Sequence, residues 1–199
     1  DPDMQATLVK LSLFNIISPK QAVYIFDDYN IVNQLEQLHR DNAFVTRDSK
    51  GNYKFHQIFL NFLHDQQPKY DLDEKALYRR AGKWFSMNND HMMAFHYWLL
   101  SQDYDLILGS LEIADISHVN SLDRKLIFPI FNEIGQDKMY EYPLASLKYV
   151  FLLILYDQED RAVKILEDFE EYFKEHPHPK YSQNQILAEI EIMRTTLGF

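Results

Sequence analysis

Apolar positions along this chain recur mostly at helical spacing, and one stretch breaks that habit. From Leu35 to Leu63 the pattern reads helix, strand, turn, strand, helix. Leu35 and Leu38 sit three apart, and Asn42 closes their helix. Ala43, Phe44 and Val45 form a short strand, 47–52 is a polar turn with one Gly, and Tyr53 and Phe55 alternate on a return strand. Ile58, Phe59, Phe62 and Leu63 then mark one face of the next helix. A lone hairpin is marginal in water and must lie against helices, so this stretch predicts a winged-helix unit.

Upstream, Asp3 is the expected cap of a first helix whose apolar positions are Leu8, Leu11, Leu13 and Phe14. Ser18-Pro19 joins a capping residue to a first-turn proline and predicts a helix over 21–26. A third helix over 31–41 leads into the hairpin. Gln66-Gln67-Pro68 ends the unit, which places a winged-helix domain at residues 1–70.

Residues 71–199 read as a helical arm. Asp71 and Glu74 have capping-box spacing. Ala76, Leu77, Arg80, Ala81, Trp84 and Phe85 follow at helical intervals, Asn88-Asn89-Asp90 turns the chain, and 93–100 returns. Asp103 caps a helix over 104–113, residues 114–120 read as loop, and 122–134 is an apolar helix interrupted by Pro129. From Pro143 a helical hairpin covers 144–156 and 162–174, His176-Pro177-His178-Pro179 stops it, and 183–197 is again helical. The hairpin has the size of a tetratricopeptide-type unit, although its consensus positions match poorly. The fold class expected is therefore mainly α, a winged helix with one β-hairpin followed by a TPR-like helical-hairpin arm. The chain starts without Met and stops directly after a strong helix, so a fragment cut at its C-terminus is expected.

Composition narrows the function. With no Cys there is neither a disulfide framework nor a thiol nucleophile, and only 5 Gly argue against glycine-rich loop enzymes. Apolar runs stay short of the roughly 18 residues a bilayer requires. Net charge is −10, split as 7 Lys/Arg against 8 Asp/Glu in 1–70 and 13 against 22 beyond, which offers no positive field for a phosphate backbone. A cytoplasmic location fits these traits.

Several strings in order resemble the MalT-like activators, large bacterial LuxR-type regulators built on a STAND-class ATPase. They are Leu8 to Phe14, Ser18-Pro19 with Ala22, Leu35-x-x-Leu38 with Asn42-x-Phe44, and Tyr53-Lys54-Phe55-His56-x-x-Phe59-x-x-Phe62-Leu63. Leu77-x-x-Arg80-Ala81-x-x-Trp84-Phe85 and Ala94-Phe95-His96-Tyr97 with Asp103 continue the likeness to about residue 115. The resemblance implies a nucleotide-binding domain before the winged helix, a helical sensor arm after it and a DNA-binding helix-turn-helix at the far end. This chain contains no G-x-x-x-x-G-K-[ST] cradle and no LuxR-type DNA-binding segment, so no cofactor is expected in this fragment, with ATP or ADP bound in the intact protein. The resemblance also implies that His56 stands where STAND proteins place a histidine on the β-phosphate of ADP. An imidazole can donate a hydrogen bond to phosphate and gain charge near neutral pH. The family's flanking Met and Asp are absent from Phe55-His56-Gln57, and the competing reading is a helix-start histidine satisfied by backbone.

Other candidates are weaker. The third helix offers Arg40 and His39 but also Glu36 and Asp41, and the wing adds Arg47, Lys50 and Lys54, a poor balance for reading DNA. His64-Asp65, and His91 with His96 five apart, miss the i, i+4 spacing of a helical metal pair, and His176 and His178 fall in a proline-rich break. Tyr149 to Tyr156 and Met92-Met93 read as core. Phe169, Tyr172 and Phe173 form the inner face of an otherwise acidic helix. The expectation is a non-catalytic regulatory segment that couples nucleotide state and an inducer on the arm to DNA binding elsewhere in the same polypeptide. Its partners are the ATPase and DNA-binding domains and a small-molecule or protein inducer, with no membrane and no direct nucleic acid. A helical-repeat adaptor and a helical metal-dependent hydrolase are the alternatives.

Overall fold

A computed structural model of the protein describes residues 2–41, 44–114 and 124–198. The chain divides into two compact units, Asp1–Asp103 and Tyr104–Phe199.

In the first unit, α1 (Pro2–Leu11) leads into a two-residue strand β1 (Ile16–Ile17), then α2 (Pro19–Phe26) and α3 (Ile31–Arg40). The hairpin β2 (Val45–Arg47) and β3 (Tyr53–Phe55) is followed directly by α4 (Gln57–Gln66). The helical pair α5 (Glu74–Met87) and α6 (His91–Ser101) completes the unit. The sheet has the order β1-β3-β2 and is antiparallel throughout, with Ile17 opposite Tyr53 and Val45 opposite Phe55. β1 escapes a reading based on alternation because two residues are too few to show a period. Ser18 caps α2 through a full capping box: its hydroxyl accepts the Gln21 N–H, and the Gln21 side chain accepts the Ser18 N–H.

Several expected boundaries move. α1 already begins at Pro2, so Asp3 lies within it. Asp73, not Asp71, caps α5, accepting the Ala76 N–H at 2.9 Å. The strand begins at Val45, since Phe44 has φ 59° and cannot extend a ladder; Asn42 and Ala43 lie outside the described residues. On α4 the inward residues are Leu60 and Leu63, whereas Ile58 and Phe62 are exposed.

The core of this unit gathers around Phe14, which is fully buried just past the end of α1. Its ring meets Phe26 at 5.8 Å, Tyr78 at 6.3 Å and Tyr97 at 5.7 Å. Tyr78 and Tyr97 belong to α5 and α6, so the helical pair shares one core with the winged helix, and residue 70 falls inside this unit. Arg80 on α5 ties the two further, donating twice to the Tyr24 carbonyl at 3.2 and 2.5 Å. Gly82 lets α5 and α6 close: a Cβ there would lie 2.3 Å from the Trp98 ring.

The second unit contains α7 (Tyr104–Ile113), α8 (Arg124–Glu133), α9 (Gln136–Glu141), α10 (Pro143–Leu155), α11 (Glu159–Glu175) and α12 (Gln183–Leu197). The loop expected over 114–120 lies almost wholly outside the described residues. α10 is the central helix, packed on α7, α8, α9, α11 and α12, with Tyr149, Val150, Leu152 and Leu153 buried. Its N-terminus has no cap of its own from Tyr142. The buried Glu112 of α7 supplies one, accepting the Ala145 N–H at 2.9 Å. Lys148 answers from the other side, donating to the carbonyls of Leu111 and Glu112 at 2.7 and 2.9 Å. On α11, Phe169 and Phe173 are buried and Tyr172 is half-buried, as the face reading expects.

Candidate functional site

The wing is braced from α3. The His39 imidazole lies 3.2 Å from the Val45 carbonyl through Nδ1. The Tyr53 hydroxyl donates to Glu36 at 2.5 Å, and the Arg47 guanidinium pairs with the same carboxylate at 2.8 Å while its charge faces the Tyr53 ring. Tyr53 is consequently pushed up to about 12, first by burial and then by the bond to Glu36. That bond, with help from Arg47, holds Glu36 below the usual carboxylate range. The turn is closed by Asp48, which accepts N–H groups from Lys50 and Asn52, and by Gly51 at φ 82°. Thus two groups expected as DNA-facing cations or their neighbours, Arg47 and Glu36, are bound to each other.

His56 sits at the N-cap of α4, exposed, where β3 ends. Its Nδ1 accepts the Ile58 N–H at 3.3 Å, which leaves the neutral ring's proton on Nε2. The ring therefore turns a donor outward at a helix N-terminus, where backbone N–H groups also favour an anion. The helix-start reading and the outward donor are both present in one geometry.

Beside His56 runs a ladder of aromatic rings. Phe44 stacks on Phe59 at 5.5 Å, and Phe59 stacks on Phe62 at 6.5 Å and on Phe55 at 6.5 Å. Phe44 also lies 6.4 Å from the His56 ring, and its carbonyl accepts the His56 N–H at 2.8 Å. This last bond holds Phe44 in its left-handed backbone conformation, uncommon for a bulky residue and found preferentially at functional positions. Phe44 is 58% exposed, Phe62 56% and Ile58 70%, so the ladder presents a continuous apolar face to solvent. Phe44's exposure and Ile58's outward turn were invisible to spacing alone, because apolar residues at helical intervals are ordinarily read as inward.

The remaining histidines are distributed. His64 Nε2 lies 2.9 Å from the Ser12 carbonyl, the His96 ring stands edge-on to Tyr97, and His176 and His178 bond backbone in the second unit. Among the described residues no group of three or more His, Cys, Asp or Glu side chains is placed to hold a metal ion. Nor, among them, is any helix long and apolar enough to cross a membrane.

A helical core with a braced antiparallel wing defines the first unit as a winged helix. Residues 1–75 match the family model of the MalT winged helix domain. Over 96% of its length the chain is 21% identical to the HTH-type transcriptional regulator MalT of Vibrio parahaemolyticus, covering 22% of that protein. It is 22% identical, over 87% of its length, to the regulator of the same name from Vibrio campbellii, covering 20% of it. The chain thus resembles MalT regulators over most of its length, and spans about a fifth of the length of the curated relatives it matches.

Proposed function

We propose that this chain is the non-catalytic middle of an ATP-dependent, MalT-like transcriptional regulator working in the cytoplasm. The winged helix docks on a nucleotide-binding domain of the same polypeptide, and His56 there directs its Nε2–H at the β-phosphate of ADP. The helical arm receives an inducer, which shifts the docking equilibrium because it binds docked and undocked states unequally. Release of the docked state then governs a DNA-binding domain beyond the arm. The observation that carries this reading is the exposed ladder of Phe44, Phe59 and Phe62 with Ile58, adjoining an outward-facing imidazole at a helix N-terminus.

The test is a docking measurement. The 199-residue chain is titrated against the nucleotide-binding part of its parent polypeptide, purified with ADP and, separately, with an ATP analogue. Tighter binding in ADP is expected, weakened at least about tenfold by Phe62→Asp, as for loss of one apolar anchor. Equal binding in both nucleotides, unaltered by Phe62→Asp, contradicts the proposal and favours a free-standing adaptor.

A further inference from the structure

Residues 176–182 cross from α11 to α12 and pack back over α7 and α9, and His178 stands at the centre of the crossover. Its Nδ1 accepts two backbone N–H groups, from Lys180 and from Tyr181, each at 3.2 Å. A nitrogen that accepts two donors carries a lone pair, so the proton of the neutral ring is on Nε2, which donates to the Glu141 carbonyl at 3.2 Å. Tyr181 stacks on the imidazole with centroids 5.2 Å apart, and burial, then the neighbouring Glu112, raise its hydroxyl above the ordinary tyrosine range. The same carboxylate caps α10 through Ala145. The crossover also walls a groove of about 540 Å³ together with α9 and α11.

We infer that His178 is an acid-released latch: it holds the crossover closed while its ring is neutral and lets go when the ring takes up a proton. Protonation puts an N–H on Nδ1 facing two backbone N–H groups, so both accepted bonds become repulsions. Release frees the wall that residues 176–180 give the groove and unstacks Tyr181 from the imidazole. His176, two residues earlier, shows the opposite arrangement, with Nδ1 2.9 Å from the Tyr172 carbonyl. That contact is a donated bond, which survives protonation. The other ionisable groups around the latch are Asp105 and Glu112 from α7, Asp137, Lys138, Tyr140 and Glu141 from α9, Tyr142 just past it, Tyr172 from α11, and Lys180 and Tyr181 of the crossover itself. Lys138 is already matched by Asp105 at 2.5 Å and Glu141 at 2.7 Å. Carboxylates, lysines and tyrosines keep their charge states between roughly pH 5 and 8, where an imidazole ordinarily changes its own.

The test is amide hydrogen exchange of Lys180 and Tyr181 in the whole 199-residue chain, corrected for intrinsic rates, at about pH 7.5 and about pH 5.5, values that bracket an ordinary imidazole. Protection of the two amides is expected to fall about tenfold on acidification, as for loss of one to two hydrogen bonds. His178→Asn retains an oxygen that accepts from residues just ahead in the chain but does not titrate. Its protection should match the wild type at the higher pH and stay there at the lower. His178→Leu should be unprotected at both. Equal protection of the wild type at both pH values overturns the latch. So does a His178→Asn chain that loses as much protection on acidification as the wild type.

Discussion

The two units solve the same problem, how to finish a small helical core, with different chemistry. The winged-helix unit closes on aromatic rings: Phe14 meets Phe26, Tyr78 and Tyr97, and the charged groups Glu36 and Arg47 brace the wing from its rim. The helical unit wraps one mainly aliphatic helix, α10, and ties its start to a buried carboxylate and its flank to a lysine on another helix's last carbonyls. The lesson is that apolar packing can be concentrated in one residue, whereas a backbone end buried among helices has to be satisfied by a polar partner from elsewhere.

Phe14→Ala should break the first unit most severely. Removing a fully buried phenyl ring at the meeting point of three others should cost about 3–5 kcal/mol. Hydrogen exchange resolved by segment should show the loss in residues of the first unit. Glu112→Ala is the counterpart in the second unit. It strips the Ala145 N–H of its partner and should cost about 1.5–3 kcal/mol, as for a bond to a charged group. Its signature should be lost protection at the first turn of α10, with the first unit's amides unchanged.

The smallest effect separates rim from core and depends on pH. Tyr53 is neutral when protonated, and its folded value of about 12 stands above the ordinary 10. The folded state therefore holds the proton more tightly, and the associated stability is complete below about pH 10 and lost as pH rises toward about 12. Glu36 is shifted the other way. Its contribution is present above the ordinary carboxylate range and fades as pH falls through it. Denaturant midpoints of Tyr53→Phe should decline less than wild type between about pH 10 and 12. A wild-type decline of the same size in the variant would place the alkaline loss on another group, such as Tyr97, also raised to about 12 by burial.

Local chemistry was readable from residues alone. Ser18-Pro19 announced a helix start, the polar turn over 47–52 announced the wing, and Pro143 announced α10. These signals act over a few residues, which is why they show in spacing. The strand Ile16–Ile17, the turn of Phe44 into the left-handed region and the cap that Glu112 places on α10 depend on partners 33 to 38 residues away or on a single dihedral angle. At the candidate site, the place of His56 at a helix start and the aromatic string were legible, but the outward direction of Ile58 and Phe62 was not. Helical periodicity says which residues share a face and leaves open which face the core takes.

The most direct test of the central claim is the rate at which ADP leaves the intact parent polypeptide, with and without His56→Ala. Loss of one hydrogen bond between an imidazole and a phosphate should speed release about tenfold. His56→Ala also removes the side chain that caps the Ile58 N–H, so a modest loss of stability at the start of α4 should accompany the change. An unaltered rate of ADP release in a folded His56→Ala protein would contradict the account.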